Sequence, residues 1–387
     1  MEYRRFGDLG FEVSTFGVGC MRMPLEVQAD GTTDPSNIDE QEAIKMIRYA
    51  IDNGVTYLDT AYPYHGGNSE PLVAKALKDG YRDRVKIATK LPVWLAKSYE
   101  DFDKLLDEQL LKLEVETIDF YLLHALSKDR WEEVKEMGVL DFLDKAVASG
   151  KIKYPGFSFH DELPVFKDIV DSYDWKMCQI QLNILDEHYQ AGVEGMHYAA
   201  SKDIPVVIME PLKGGRLAHS VPEDIKKLWD ESPIKRSPVE WAFRWLYNFP
   251  EVAVILSGVS TMDQLKDNLE IFSKSEPNSM IKDELDLVEK VKELYESKIK
   301  VGCTSCNYCM PCPSGVNIPG VFEIYNNYSI YGNPQEWNDQ YITLINDNKD
   351  ASQCIECGLC EPECPQHIEI ISKLKEAHAV LTSLGKA

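Results

Sequence analysis

Positive charge is scarce in this 387-residue chain: 41 lysines and arginines stand against 64 aspartates and glutamates, a formal balance of −23. Such a surface repels phosphate backbones and anionic lipid headgroups, so neither nucleic acid nor a membrane surface is expected as a partner. No apolar run approaches the length of a bilayer span, and the stretch from Met1 to Asp8 is charged rather than an apolar leader. A cytoplasmic location is the expectation, because the thiols described next need a reducing compartment. Also missing is a Gly-x-Gly-x-x-Gly turn after the first strand-like segment, which counts against a Rossmann dinucleotide fold.

Cysteine is concentrated instead. Eight of the ten form two runs, Cys303-x2-Cys306-x2-Cys309-x2-Cys312-Pro313 and Cys354-x2-Cys357-x2-Cys360-x3-Cys364-Pro365. The second run has the spacing of bacterial two-cluster ferredoxins, in which three cysteines hold one [4Fe–4S] cube and the fourth crosses to the other; the first run differs only in its last gap. This spacing assigns Cys303, Cys306, Cys309 and Cys364 to one cluster, and Cys354, Cys357, Cys360 and Cys312 to the other. Structural zinc and disulfides are the competing readings. Zinc sites favour two separated Cys pairs over runs of four closed by Cys-Pro, and disulfides belong to oxidising compartments. Cys20 and Cys178 lie outside both runs and read as small buried hydrophobes.

Before about residue 300 the pattern alternates. Short apolar, β-branched runs at 14–19, 55–59, 85–90, 118–124, 152–158, 177–181, 205–209 and 252–257 read as buried parallel strands. Amphipathic stretches at 40–53, 99–113, 131–149, 193–201, 237–247 and 262–272 read as the helices between them. Eight such strands predict an α/β fold, a (β/α)8 TIM barrel over 1–280. A connecting surface helix is expected at 281–300, followed over 301–387 by a small, mainly α-helical iron–sulfur domain with helices between its two cysteine runs.

Polar residues at the C-terminal strand ends of such a barrel face one mouth. Here these are Asp59, Lys90 and His124, with Tyr64 in the loop after Asp59. A buried ammonium beside a phenol favours the phenolate, so Lys90 is expected to lower the Tyr64 pKa while Asp59 holds Lys90 charged. His124 would donate a hydrogen bond to a substrate oxygen. Tyr62, His65, Trp94 and Trp131 are loop aromatics and a histidine that either line the pocket or pack beneath it.

With these residues the sequence resembles the aldo-keto reductase family. The resemblance rests on Asp59 and Tyr64 followed by Asn68-Ser69-Glu70, on Lys90 and His124 at their strand ends, and on Arg4-Arg5-Phe6-Gly7 with Phe16-Gly17-Val18-Gly19. It covers roughly residues 1 to 275 and implies a nicotinamide cofactor, NAD(P)(H), over the barrel mouth and carbonyl reduction or its reverse. By the same resemblance Gln179 holds the nicotinamide amide with Ser158 beside it, Asn268 touches adenine, and Ser257 and Gln264 belong to the last-strand cofactor segment. Four positions depart from the family pattern: Phe159 replaces an Asn, Met209 stands where an aromatic ring commonly stacks, and Gly258 and Gln264 replace the cations that clamp a 2′-phosphate. Without that fork NADH is at least as good a candidate as NADPH. Gly214, in Lys213-Gly214-Gly215-Arg216, marks either an anion-binding turn or an ordinary loop with two solvated charges.

Nicotinamide moves two electrons and a [4Fe–4S] centre one, so a flavin in place of nicotinamide is a further candidate, and a ferredoxin or flavodoxin a candidate electron partner. The expected function is an oxidoreductase reducing a carbonyl of a small molecule, Tyr64 donating the proton and the clusters relaying electrons. The alternative is an electron-transfer or redox-sensing iron–sulfur protein whose barrel binds a ligand without hydride chemistry. Two cubes require about eight irons per chain. Iron and zinc assays on anaerobically purified protein should return that ratio, and zinc in place of iron would restore the competing reading.

Overall fold

A computed structural model describes residues 1–28, 31–274 and 276–384. Eight parallel strands close on one another in sequential order: β1 (Phe16–Gly19), β2 (Tyr57–Asp59), β3 (Lys86–Leu91), β4 (Ile118–Leu126), β5 (Ile152–Phe159), β6 (Met177–Gln181), β7 (Val206–Met209) and β8 (Val252–Ser257), with β8 pairing back to β1. Their bounds differ from the sequence reading by two residues at most. The sequence pattern at 131–149 predicts one helix, but the chain forms two, Lys128–Glu136 and Val139–Ala148. Gly138 between them has φ 88°, a left-handed conformation that ends the first helix and suits glycine.

The barrel interior is filled from the N-terminal end. A two-stranded hairpin, Tyr3–Arg5 with Glu12–Ser14, precedes β1, and Phe6 at its turn is fully buried. Its ring lies 5.9 Å from Phe11, 6.2 Å from Tyr57 and 4.8 Å from Phe120, measured between centroids. Above it Ala88, Leu122, Met177 and Val207 belong to the same apolar cluster. These residues make the barrel a packed core up to its mouth.

By proximity the chain divides into two units, residues 1–214 with 239–282 and residues 215–238 with 283–387. The second unit contains the helices Glu223–Asp230, Ile318–Tyr331, Pro334–Asn346 and Ile370–Ser383, the last three packed on Phe322, Trp337, Tyr341, Leu374 and Leu381. The excursion at 215–238 joins this unit through Arg216, which binds Glu336 at 2.9 Å and stacks 4.4 Å over Trp337, and through the Asp224–Lys298 pair at 2.6 Å. The helix foreseen at 281–300 runs Lys282–Glu296. Among the described residues no helix is long and apolar enough to cross a membrane.

Truncating Phe6 leaves a void at the floor of the barrel. Phe6→Ala should cost about 3–5 kcal/mol of barrel stability, read as a lowered denaturation midpoint of the barrel signal in urea.

Candidate functional site

The period of two along a strand sets the site. Tyr57, Ala88, Leu122, Met177 and Val207 point into the interior cluster. The next side chain on the same face of each strand is Asp59, Lys90, His124, Gln179 and Met209. The apolar layer is therefore followed, toward the C-terminal mouth, by a polar one.

Lys90 is 1% exposed and Asp59 3%. The Lys90 ammonium donates to Asp59 Oδ1 at 2.6 Å, to the Thr60 carbonyl at 2.9 Å and to the Tyr64 hydroxyl at 3.4 Å. Burial alone would depress the Lys90 pKa, but Asp59 and Tyr64 outweigh it and hold the pKa above the ordinary lysine value. Tyr64 differs from the sequence expectation. Lys90 does pull its pKa down, yet burial, aided by the Asp59 carboxylate, dominates and leaves it above the ordinary phenol value. His124 sits edge-on to Tyr64, centroids 6.1 Å apart. Burial, then Lys90, His160 and Arg130, push its pKa down to about 2. Its Nδ1 is buried without a hydrogen-bond partner. A buried N–H left unpaired costs more than an unpaired lone pair, so the proton belongs on Nε2.

Two supports lie behind this layer. Gln109 donates to the Lys90 carbonyl at 3.1 Å and to Glu70 at 2.7 Å, and accepts from Tyr121 at 2.8 Å, while Thr89 donates to Glu70 at 2.6 Å. Ala125, directly after His124, has φ 54°. A non-glycine residue there is strained, and two side chains hold it: Ser158 Oγ accepts from its N–H at 2.7 Å, and Arg130 Nη1 donates to its carbonyl at 2.8 Å. Sequence reasoning missed Arg130 and the strain at Ala125, since neither carries a local pattern.

The residues singled out for a cofactor are placed as follows. Gln179 Nε2 donates to Asp59 Oδ2 at 2.8 Å. Asn268 donates to Ser257 Oγ at 3.0 Å, both buried. Gln264 accepts from the Ser260 N–H at 2.9 Å and closes the segment after β8. Gly214, φ 65°, follows Lys213, whose ammonium grips Asp186 at 2.6 and 2.7 Å. Two further residues emerge only from the structure. Gln181, on the same face as Gln179, buries an amide nitrogen that finds no partner. Arg22 packs its stem over Gly258, where a Cβ would meet it at 3.1 Å, with Nη2 3.6 Å from the place of a Cβ on Gly214. Of the loop residues, Trp131 packs on Trp175, His65 ties Pro35 to the Met23 N–H, and Tyr62 binds Glu108. Trp94 alone among them approaches the tetrad, 5.0 Å from His124.

All ten cysteines are free. In the second unit Cys303, Cys306, Cys309 and Cys364 line one cavity with Ile318, Phe322 and Ile370. Cys312, Cys354, Cys357 and Cys360, with Cys309, line another of about 150 Å³. Each run thus sends its last cysteine to the cavity of the other. Among the described residues no three His, Cys, Asp or Glu side chains converge tightly enough for a single metal ion. Thiols ringing a cavity suit a multi-iron cube better than a four-thiolate zinc. Burial raises the Cys312 pKa, but the Ser314 hydroxyl and the backbone amides of Ser314, Val316 and Gly315 outweigh it and bring the pKa below the ordinary thiol value.

Comparison with known proteins agrees with this geometry. The aldo/keto reductase family model matches residues 27–289, and a 4Fe-4S dicluster domain model matches residues 302–369. Aldo-keto reductase YhdN of Bacillus subtilis is 28% identical over 58% of this chain and 66% of its own length. A probable aldo-keto reductase 1 of Glycine max is 34% identical over 40% of this chain and 44% of its own length, so the chain spans less than half of that relative. Aldo-keto reductase AKR11C1 of Bacillus halodurans, holo form, superposes with a TM-score of 0.62 at 26% identity, covering 75% of this chain and 96% of that one. A Klebsiella pneumoniae aldo-keto reductase in complex with NADPH shares the fold at 21% identity and a TM-score of 0.60, covering 76% of this chain and 96% of that one. The chain belongs to the aldo/keto reductase family and carries a 4Fe-4S dicluster domain toward its C-terminal end.

Proposed function

We propose that the barrel reduces the carbonyl group of a small molecule, with Tyr64 as proton donor, Lys90 and Asp59 as its charge partners and His124 as the hydrogen-bond donor that orients the carbonyl oxygen. One observation carries this reading: a fully buried ammonium, Lys90 Nζ, lies between Asp59 Oδ1 at 2.6 Å and the Tyr64 hydroxyl at 3.4 Å. A nicotinamide dinucleotide, bound, supplies hydride to the carbonyl carbon. Tyr64 passes its hydroxyl proton to the carbonyl oxygen, and the phenolate left behind faces the Lys90 ammonium, which is why a tyrosine with a raised pKa can still give up its proton there.

Gln179, Ser158, Ser257, Asn268, Met209, Gly214 and Gln264 are proposed to hold the dinucleotide, and the unpartnered Gln181 amide offers it a further donor. Arg22, over Gly258, supplies a cation to a segment that lacks its usual clamp, so the residues fit NADH and NADPH alike. Cys303, Cys306, Cys309 and Cys364 are proposed as ligands of one [4Fe–4S] cluster, and Cys354, Cys357, Cys360 and Cys312 of the other, in keeping with the two cavities. Such centres supply single electrons, which suits exchange with a ferredoxin or flavodoxin.

Two measurements test the tetrad. Tyr64→Phe should lower kcat by about 10²-fold or more, with dinucleotide affinity and iron content retained; a fully active variant would remove Tyr64 from the chemistry. His124 is the second. Its pKa of about 2 in the folded state lies below the histidine value of 6.5, so within that window the unfolded chain binds more protons and stability falls as pH falls. Acidification from about pH 7 to about pH 5 should therefore lower the melting temperature, and His124→Gln should shrink that drop.

A further inference from the structure

Beyond the tetrad, a cation beside Trp94 at the barrel mouth, Arg130, has no carboxylate to answer it among the described residues. Arg130 opens the Lys128–Glu136 helix after β4 and is half-buried. Acidic side chains outnumber basic ones in this chain, and Arg48, Arg82, Arg84, Arg216 and Arg244 are each paired with a carboxylate. Among the described residues Arg130 has no ion pair. One arm of its guanidinium is fixed on the Ala125 carbonyl at 2.8 Å. Its plane lies over the Trp94 ring, 5.2 Å from the centroid.

The position is what matters. Tyr64 meets His124 at 6.1 Å, His124 meets Trp94 at 5.0 Å, and Trp94 meets Arg130 at 5.2 Å, all between ring centroids or the guanidinium carbon. The cation therefore stands one indole beyond the residue that would orient the carbonyl. Its charge reaches into the site, for it helps keep both His124 and His160 neutral. A guanidinium stacked on an aromatic face, with one N–H already committed, presents its remaining N–H groups in a fixed plane that matches a carboxylate. A chain of net charge −23 repels anions at long range, so a site for an anionic substrate needs such a local cation.

We propose that Arg130 recognises a carboxylate on the substrate, and that the substrates of this barrel are carbonyl compounds bearing an acid group, oxo acids and formyl acids, rather than neutral aldehydes and ketones. This rests on the carbonyl-reductase reading above. The competing explanation is that Arg130 only clamps Ala125 and so steadies His124. A clamp does not distinguish an acid from its ester.

The test uses the holoprotein and two matched pairs of probes, 4-carboxybenzaldehyde with methyl 4-formylbenzoate and pyruvate with methyl pyruvate. Wild type should favour the acid of at least one pair by ~10-fold or more in kcat/KM. In Arg130→Gln that acid should lose at least ~10-fold more than its ester, chiefly through KM. Arg130→Lys should recover part of the preference. Equal losses for acid and ester, or no acid preference in wild type, would overturn the proposal. Should wild type turn over neither member of either pair, the reductase reading is in question, and calorimetric binding of benzoate decides the inference by itself. Weaker binding to Arg130→Gln than to wild type supports the anion site, and equal or absent binding rejects it.

Discussion

Lys90 carries its charge at 1% exposure, and the neighbouring residues answer the cost of that burial. An ammonium taken from water loses several kcal/mol of solvation even after relaxation, about as much again is at stake when its partner is removed, and only close, well-directed acceptors offset this. Asp59, the Thr60 carbonyl and the Tyr64 hydroxyl are those acceptors. The second Asp59 oxygen is occupied in turn by Gln179 from across the barrel. The proposed carbonyl chemistry is thus superimposed on a charge arrangement that the fold must satisfy in any case, with β2, β3 and β6 each contributing one member.

Much of this was legible in the sequence, for a reason of geometry. Buried parallel strands are short apolar runs, and a polar residue two positions past an interior apolar one is bound to face the mouth. Asp59, Lys90, His124 and Gln179 obey that rule. What local pattern does not encode was hidden. The direction of the Tyr64 pKa depends on how deeply the loop carrying it is buried, which no motif states. Gly138 divides a periodic stretch into two helices because of a backbone conformation rather than a break in hydrophobicity. Arg130, Arg22 and Gln181 matter through contacts distant in sequence, and His65 and Trp131, conspicuous by residue type, are tied up in packing.

The two units pose different physical problems. The barrel sets a buried polar layer over an apolar floor, where electrostatic interactions are strong because the local dielectric is low. The second unit has a modest core of its own, built on Phe322, Trp337 and Tyr341, and its two cysteine runs are short loops with little regular structure. Such loops hold their shape by what they ligate as much as by what they pack against.

The crossing of the cysteines has a mechanical meaning. With the two proposed clusters bound, Cys364 would be tied to the first run and Cys312 to the second, so that the helices Ile318–Tyr331 and Pro334–Asn346 would lie inside a chain segment fastened at both ends. The arrangement acts as a double buckle. Releasing one fastening leaves the other in place, so the segment keeps most of its restricted freedom and can reclose without a long search, whereas losing both returns the full loop entropy at once. Oxidative damage would then be tolerated once and punished the second time, giving this appendage a threshold rather than a graded decline.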